Sequence, residues 1–172
     1  MHLIVYGDFN CPYSALASAR VDALLDAGHE IEWRAVQHDA SMPPQGVDMD
    51  GEAGAKLAGE IDEVLSLLRD GERFELRLPR VRPNTARASR VYAADPVPEV
   101  RHRWFDWAWG RSGEPVAVAE DAAVAATWQR EWDATEKKMV PMLVLPDGYI
   151  SRGLGALKRL ADMIPRRSAA EA

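Results

Sequence analysis

A single cysteine, Cys11, stands among 172 residues, so no internal disulfide can form. A disulfide framework is excluded, and a reducing compartment fits that count. The four histidines, His2, His29, His38 and His102, show no metal-ligand spacing and have no second cysteine to join them, so no metal is expected. No apolar run approaches the ~18 residues of a membrane span. The N-terminus enters a strand pattern within three residues, without a basic n-region or small-residue cleavage site. A soluble, cytoplasmic protein is the expectation. Positive charge is the minority sign: Lys plus Arg total 21 against 27 for Asp plus Glu, a formal charge of −6. That balance argues against non-specific binding to nucleic acid or an anionic membrane and leaves small molecules or proteins as partners. The G-x-S-x-G elbow, the G-x-x-x-x-G-K phosphate loop and the G-x-G-x-x-G dinucleotide loop are all missing.

What the chain does have is enough length for one domain with an insertion, able to bury about two-thirds of its unfolded surface without staples. Leu3 to Phe9 reads as a buried strand ended by Gly7-Asp8. From Tyr13 to Ala27, Leu16, Ala17, Val21, Leu24 and Leu25 share a helical face, with Gly28 as the stop. Ile31, Trp33 and Ala35 then alternate with Glu32 and Arg34 before Val36, a second strand. A helix-length crossover favours a parallel pair, which completes a βαβ unit.

The chain changes character at Ser41 to Gly51, a loop with Pro43-Pro44 and Gly46. Leu57, Ile61, Val64, Leu65 and Leu68 make a helical stripe closed by Asp70-Gly71. Arg73 to Pro83 is interrupted by prolines and reads as a loop. Helical patterns resume at Thr85 to Ala94, Glu99 to Trp109, and Ala117 to about Asp133. Strand chemistry returns at Pro141 to Leu145 and Tyr149 to Ser151, and the Asp147-Gly148 pair between them predicts an antiparallel hairpin. A last helix runs from Leu154 to Ile164, and Arg166 to Ala172 is expected to be a frayed tail. The expected architecture is α/β: a core of residues 1–40 and 136–172, with an all-helical insertion over 41–135.

Cys11 begins the sequence Cys11-Pro12-Tyr13-Ser14, where a strand hands over to a helix. There, unpaired N–H groups and the positive dipole end favour thiolate over thiol. The spacing is that of a C-x-x-C redox motif with Ser14 in the second place. A hydroxyl cannot attack a mixed disulfide to release it, so the chemistry is of single-thiol type. The other reading of Cys11 is a buried structural thiol. Ser14 either hydrogen-bonds the sulfur or is an ordinary first-turn serine.

The order βαβ, helical insertion, ββα resembles the thioredoxin-like fold of the DsbA family. The similarity is greatest to the branch of 2-hydroxychromene-2-carboxylate isomerases and kappa-class glutathione transferases. It is carried by Asp8-Phe9-Asn10-Cys11-Pro12-Tyr13-Ser14, by Pro83-Asn84-Thr85 and by Val140-Pro141. The resemblance implies a cis Val140–Pro141 peptide beside the nucleophile, with its backbone pairing a bound thiol peptide. It also implies that Asn84 faces the substrate cleft, with Pro12 and Tyr13 beside it. Redox members carry a second cysteine where this chain has Ser14, which excludes intramolecular dithiol cycling. Isomerase and transferase members commonly carry serine at Cys11 and an acid after the last strand, and Ser151-Arg152-Gly153-Leu154 holds none.

The expected activity is monothiol thiol–disulfide exchange, with Cys11 as nucleophile and an external thiol resolving the adduct. Glutathione or another low-molecular-weight thiol would serve without being tightly bound, and the substrate would be a small thiol or disulfide or a protein disulfide. A thiol-cofactor-dependent isomerase or transferase and a non-catalytic binding module are the alternatives. A homodimer follows from the resemblance alone.

Pro141 also suits a plain strand start, and Asn84 a plain turn. Arg73, Arg77, Arg80, Arg82, Arg87 and Arg90 read either as a solvated face paired to carboxylates or as an anion-binding rim, which would suit a thiol with carboxylates or coenzyme A. Trp104, Trp107, Trp109, Trp128 and Trp132 read as core packing or as an aromatic pocket between insertion and core.

Overall fold

The computed structural model describes residues 1–165, so the expected tail at 166–172 lies outside the described residues. A four-stranded sheet has the order β2 (Glu30–Ala35), β1 (His2–Gly7), β5 (Met142–Val144), β6 (Ile150–Arg152). Strand β1 (His2–Gly7) lies inside it, and Leu3 and Val5 are fully buried. Burial from both faces is why this strand reads as an apolar run and not as an alternation. It pairs in parallel with β2 (Glu30–Ala35), placing Val5 opposite Trp33 and Gly7 opposite Ala35. On its other side it runs antiparallel to β5 (Met142–Val144), which pairs with β6 (Ile150–Arg152), also antiparallel. The hairpin turns at Asp147-Gly148 as the sequence predicts. Gly148 sits at φ +85°, and the Asp147 carboxylate accepts from the Tyr149 N–H at 3.0 Å.

Helix α1 (Pro12–Asp26) crosses from β1 to β2. Pro12 fits the first turn because the N–H it lacks would have had no partner there. At the other end Gly28, at φ +87°, lets the chain reverse so that His29 donates to the Leu24 carbonyl at 3.0 Å. Leu16, Ala17, Val21 and Leu24 form the buried face of α1, which packs on α6 (Gly153–Met163) through Ala156, Leu157 and Leu160.

The insertion contains α2 (Gly51–Ser66), α3 (Ala86–Ala94), α4 (Pro98–Ala108) and α5 (Ala122–Asp133). It is not all helix, which corrects the sequence-based expectation. Two short strands, β3 (Val47–Asp48) and β4 (Val81–Arg82), pair antiparallel where loops were expected. Strands of two residues have no alternation to read, and Pro79 and Pro83 flank one of them. Gly46 makes the approach possible, because a Cβ there would lie 2.5 Å from the Arg82 carbonyl oxygen. Helix α5 also starts later than expected. Asp121 caps it by accepting from the Val124 N–H at 2.9 Å, and Val116 and Val118 before it are exposed.

An aromatic seam joins insertion to sheet. Phe9 meets Tyr92 and Phe105 edge-on at 5.9 and 5.0 Å, and Phe105 meets Trp33 at 5.7 Å. Trp109 donates from Nε1 to the Phe9 carbonyl at 3.0 Å. Trp104, Trp109, Trp128 and Trp132 are buried, so the tryptophans of the insertion act chiefly as packing.

Candidate functional site

Strand β1 ends at Gly7, and Asp8, Phe9 and Asn10 carry the chain to Cys11, the N-cap of α1. The Cys11 N–H donates to the Asp8 carbonyl at 3.1 Å, which closes this turn. From the other side of the sheet comes the loop before β5, where the Val140–Pro141 peptide is cis. The Cys11 Sγ lies 4.0 Å from the Val140 carbonyl oxygen. The Pro141 carbonyl in turn accepts from the Gly153 N–H at 2.8 Å, tying this loop to the start of α6. Cys11, Ser14, Pro12, Val140 and Pro141, singled out from the sequence, thus form one buried cluster.

The acidity expected of Cys11 is not what this cluster produces. Burial pushes the thiol up from its ordinary value, because only 5 % of the residue is exposed and a sulfur anion there loses its water. The Ser14 hydroxyl and N–H pull it back in part, Asp8 adds to the rise and Arg82 opposes it. The helix-terminus argument identified a real local effect that desolvation outweighs. The free protein therefore holds Cys11 as a thiol.

Ser14 is fully buried, and its Oγ accepts from the Asp8 N–H at 3.2 Å, while its hydroxyl favours the Cys11 anion. Ser14→Ala removes a group that favours the thiolate, so the pH profile of Cys11 alkylation is expected to move further above the ordinary cysteine value of ~8.5. Superimposable profiles for variant and wild type would remove Ser14 from the chemistry.

Asn84, expected at the cleft, is engaged by the protein. Its Oδ1 accepts from Gln37 at 3.2 Å and from the Ala86 N–H at 2.9 Å, and its Nδ2 donates to the Met42 carbonyl at 2.8 Å. These bonds brace the start of α3 against the loop after β2. Tyr13 donates its hydroxyl to Glu63 of α2 at 2.8 Å. Burial and that carboxylate raise its phenol.

The arginine run divides into three. Arg87 pairs with Glu114 and Glu120, and Arg90 with Glu120, which makes those two a solvated ionic face. Arg82 turns inward and donates from Nε to the Asn10 carbonyl at 3.0 Å. Arg73, Arg77 and Arg80 are exposed and form no salt bridge among the described residues. An aromatic-lined concavity of about 520 Å³ does lie between insertion and core, with Trp33, Tyr92 and Trp128 in its wall. It also includes His2 and Glu30, at the end of the sheet opposite to Cys11, and so is not part of the thiol site.

Three residues that the sequence did not place at the site belong to it. Asp8, His38 and Thr85 form a hydrogen-bonded cluster behind Cys11. Asp8 and Thr85 lay within the segments carrying the family resemblance, while His38 had been weighed only as a metal ligand.

A mixed sheet carrying a cysteine at a helix start opposite a cis-proline loop, with a mainly helical insertion, defines a thioredoxin-like domain. The chain belongs to the family of DSBA-like thioredoxin domains, whose model matches residues 2–139. Comparison with curated proteins gave no match. Among solved structures it is similar to a probable DsbA oxidoreductase from Streptomyces coelicolor, at 16% identity and a TM-score of 0.62, over 100% of this chain and 94% of that one. It is also similar to a 2-hydroxychromene-2-carboxylate isomerase, at 16% identity and a TM-score of 0.55, over 94% and 93%.

Proposed function

We propose that the protein is a monothiol thiol–disulfide oxidoreductase. The observation that carries this reading is the position of the Cys11 sulfur, at the start of α1 and against the Val140 carbonyl. Cys11 gives up its proton and attacks one sulfur of a disulfide R–S–S–R′, forming Cys11–S–S–R. The leaving R′–S⁻ takes up the proton. An external low-molecular-weight thiol, glutathione or a similar one, then attacks the adduct, leaves with R as a new disulfide and returns Cys11 as thiol. The Val140 backbone and Pro141 position the sulfur-bearing partner. The substrate is a small disulfide or a protein disulfide.

Exposure of the full chain to glutathione disulfide, followed by mass spectrometry, tests this. One glutathione adduct located at Cys11, removed by added glutathione, is the expected result. An unmodified Cys11 under conditions where a surface thiol is labelled would defeat it.

The raised Cys11 thiol, a weaker nucleophile for want of its anion, favours one second reading, in which a bound thiol cofactor is the nucleophile of an isomerase or transferase and the protein supplies its binding. The structural likeness to an isomerase supports it.

No helix among the described residues is long and apolar enough to cross a membrane.

A further inference from the structure

The concavity of about 520 Å³ between insertion and core falls within the ~300–1,000 Å³ of ordinary small-molecule sites. Trp33 of β2, Tyr92 of α3 and Trp128 of α5 form its aromatic wall, with Leu25 and Ile31 beside them. Three polar groups on this wall have no protein partner. The Tyr92 hydroxyl makes no hydrogen bond among the described residues, although only 2 % of the residue is exposed. Arg101 of α4, also in the wall, is equally buried; its Nε donates to the Ser18 hydroxyl at 2.9 Å and its Nη2 to Asp22, while Nη1 donates to nothing among the described residues. Trp33 Nε1 is buried without a partner. The three belong to one place, because the Arg101 guanidinium lies 5.5 Å from the centre of the Trp33 ring and its charge acts on the Tyr92 hydroxyl. Native chains rarely leave buried donors unpaired, and three on one wall mark a place where an acceptor belongs.

We propose that this concavity is a binding site for an uncharged aromatic carbonyl compound, its ring against Trp33 and Trp128 and its oxygen on the Tyr92 hydroxyl and Arg101 Nη1. The site lies at the far end of the sheet from Cys11 and does not rest on the thiol chemistry.

The class of ligand follows from the chemistry of the wall. Burial raises the Tyr92 phenol, so it keeps its proton and donates, as the guanidinium does. A carbonyl oxygen has lone pairs for both. A carboxylate also has them, but the surrounding charge opposes it. Asp22 compensates Arg101, and Arg34 compensates Glu32 through bonds of 2.7 and 3.1 Å. Glu30 in the rim and Asp95 near the Tyr92 hydroxyl are exposed and form no salt bridge among the described residues, which leaves the mouth negative.

The probe is acetophenone, titrated into the full isotope-labelled chain at about pH 8, where an ordinary histidine is neutral and His2 and His29 in the rim add no charge. The readout is the set of six indole N–H signals in the nuclear magnetic resonance spectrum. Saturable shifts at Trp33 and Trp128, with Trp109 and Trp132 unmoved, are expected. Tyr92→Phe keeps the ring and removes a hydroxyl that bonds nothing in the protein, so it should fold normally and bind about fivefold more weakly. Ile31→Trp, which fills the space from the sheet edge, should abolish binding. Benzoate, the same ring carrying a charge, should bind about tenfold more weakly than acetophenone. Benzoate binding as tightly would overturn the uncharged class. Shifts that never saturate, that centre on the other tryptophans, or that are unchanged in Tyr92→Phe would overturn the site itself. Cys11→Ser should bind acetophenone as wild type does, so a failure of the oxidoreductase reading and a failure of this one are told apart.

Discussion

Cys11→Ser is expected to abolish disulfide exchange, with turnover of hydroxyethyl disulfide in the presence of glutathione falling on the order of a thousandfold or more to background. A hydroxyl in place of the sulfur can neither form the mixed disulfide nor be released by a second thiol. The fold is expected to survive. Serine occupies nearly the same space and is a favoured N-cap residue, worth ~1 kcal/mol, where Cys11 makes no side-chain cap bond. That gain opposes a cost of ~1–3 kcal/mol for any hydroxyl hydrogen bond left unmade at this buried position. Thermal unfolding of the variant within a few degrees of wild type would confirm that lost chemistry, and not lost structure, explains the result. The same variant separates the two enzyme readings, since a bound thiol cofactor would remain as nucleophile and its turnover would fall only a few-fold. Full exchange activity in Cys11→Ser would end the monothiol mechanism.

The scaffold was legible because its parts announce themselves locally. Leu3-Ile4-Val5-Tyr6 is a short apolar run stopped by Gly7-Asp8, Gly28 ends α1, and Asp147-Gly148 makes a hairpin by backbone geometry alone. The motif around Cys11 was legible for the same reason, as a helix start with proline in its first turn. What could not be read depends on contacts across the chain. Val47–Asp48 finds its partner at Val81–Arg82, more than thirty residues away, through a ladder too short to leave a period. The acidity of Cys11 was misjudged because a helix terminus is a local feature, whereas the removal of water comes from the surrounding chain. Asp8 looked like the end of a strand until the fold brought His38 and Thr85 onto its carboxylate. Asn84 illustrates the reverse case: the family pattern marked the residue, and the structure gives it bracing work between Gln37, Met42 and Ala86.

Arg20→Ala is the substitution expected to cost most stability. Arg20 lies in α1 with only 3 % of its side chain exposed, and it holds three other parts of the chain at once. Nε and Nη2 grip the Glu72 carboxylate at 2.7 and 2.9 Å, Nη2 also reaches the Leu67 carbonyl after α2, and Nη1 donates to the Leu157 carbonyl of α6. Truncation leaves a partly buried carboxylate and two carbonyls without their donor. Breaking such a pair costs ~3–5 kcal/mol, which for a chain of this size lowers the melting temperature by about 6–20 °C. The pair also shapes the acid limb of the stability curve. Burial alone would raise the Glu72 carboxyl, but the bonds from Arg20 and from the Arg69 N–H leave it below its ordinary value. A carboxyl depressed in the folded state adds stability that is complete above its unfolded value of ~4.3 and is lost as pH falls through the folded one. Arg20→Ala should therefore lose stability at neutral pH and show a shallower decline on acidification. A double-mutant cycle with Glu72→Gln, measured by denaturant unfolding at neutral pH, should return a coupling of at least ~1 kcal/mol. Strict additivity of the two substitutions would show that the Arg20–Glu72 pair contributes nothing specific, leaving the bonds from Arg20 to the Leu67 and Leu157 carbonyls to account for the loss.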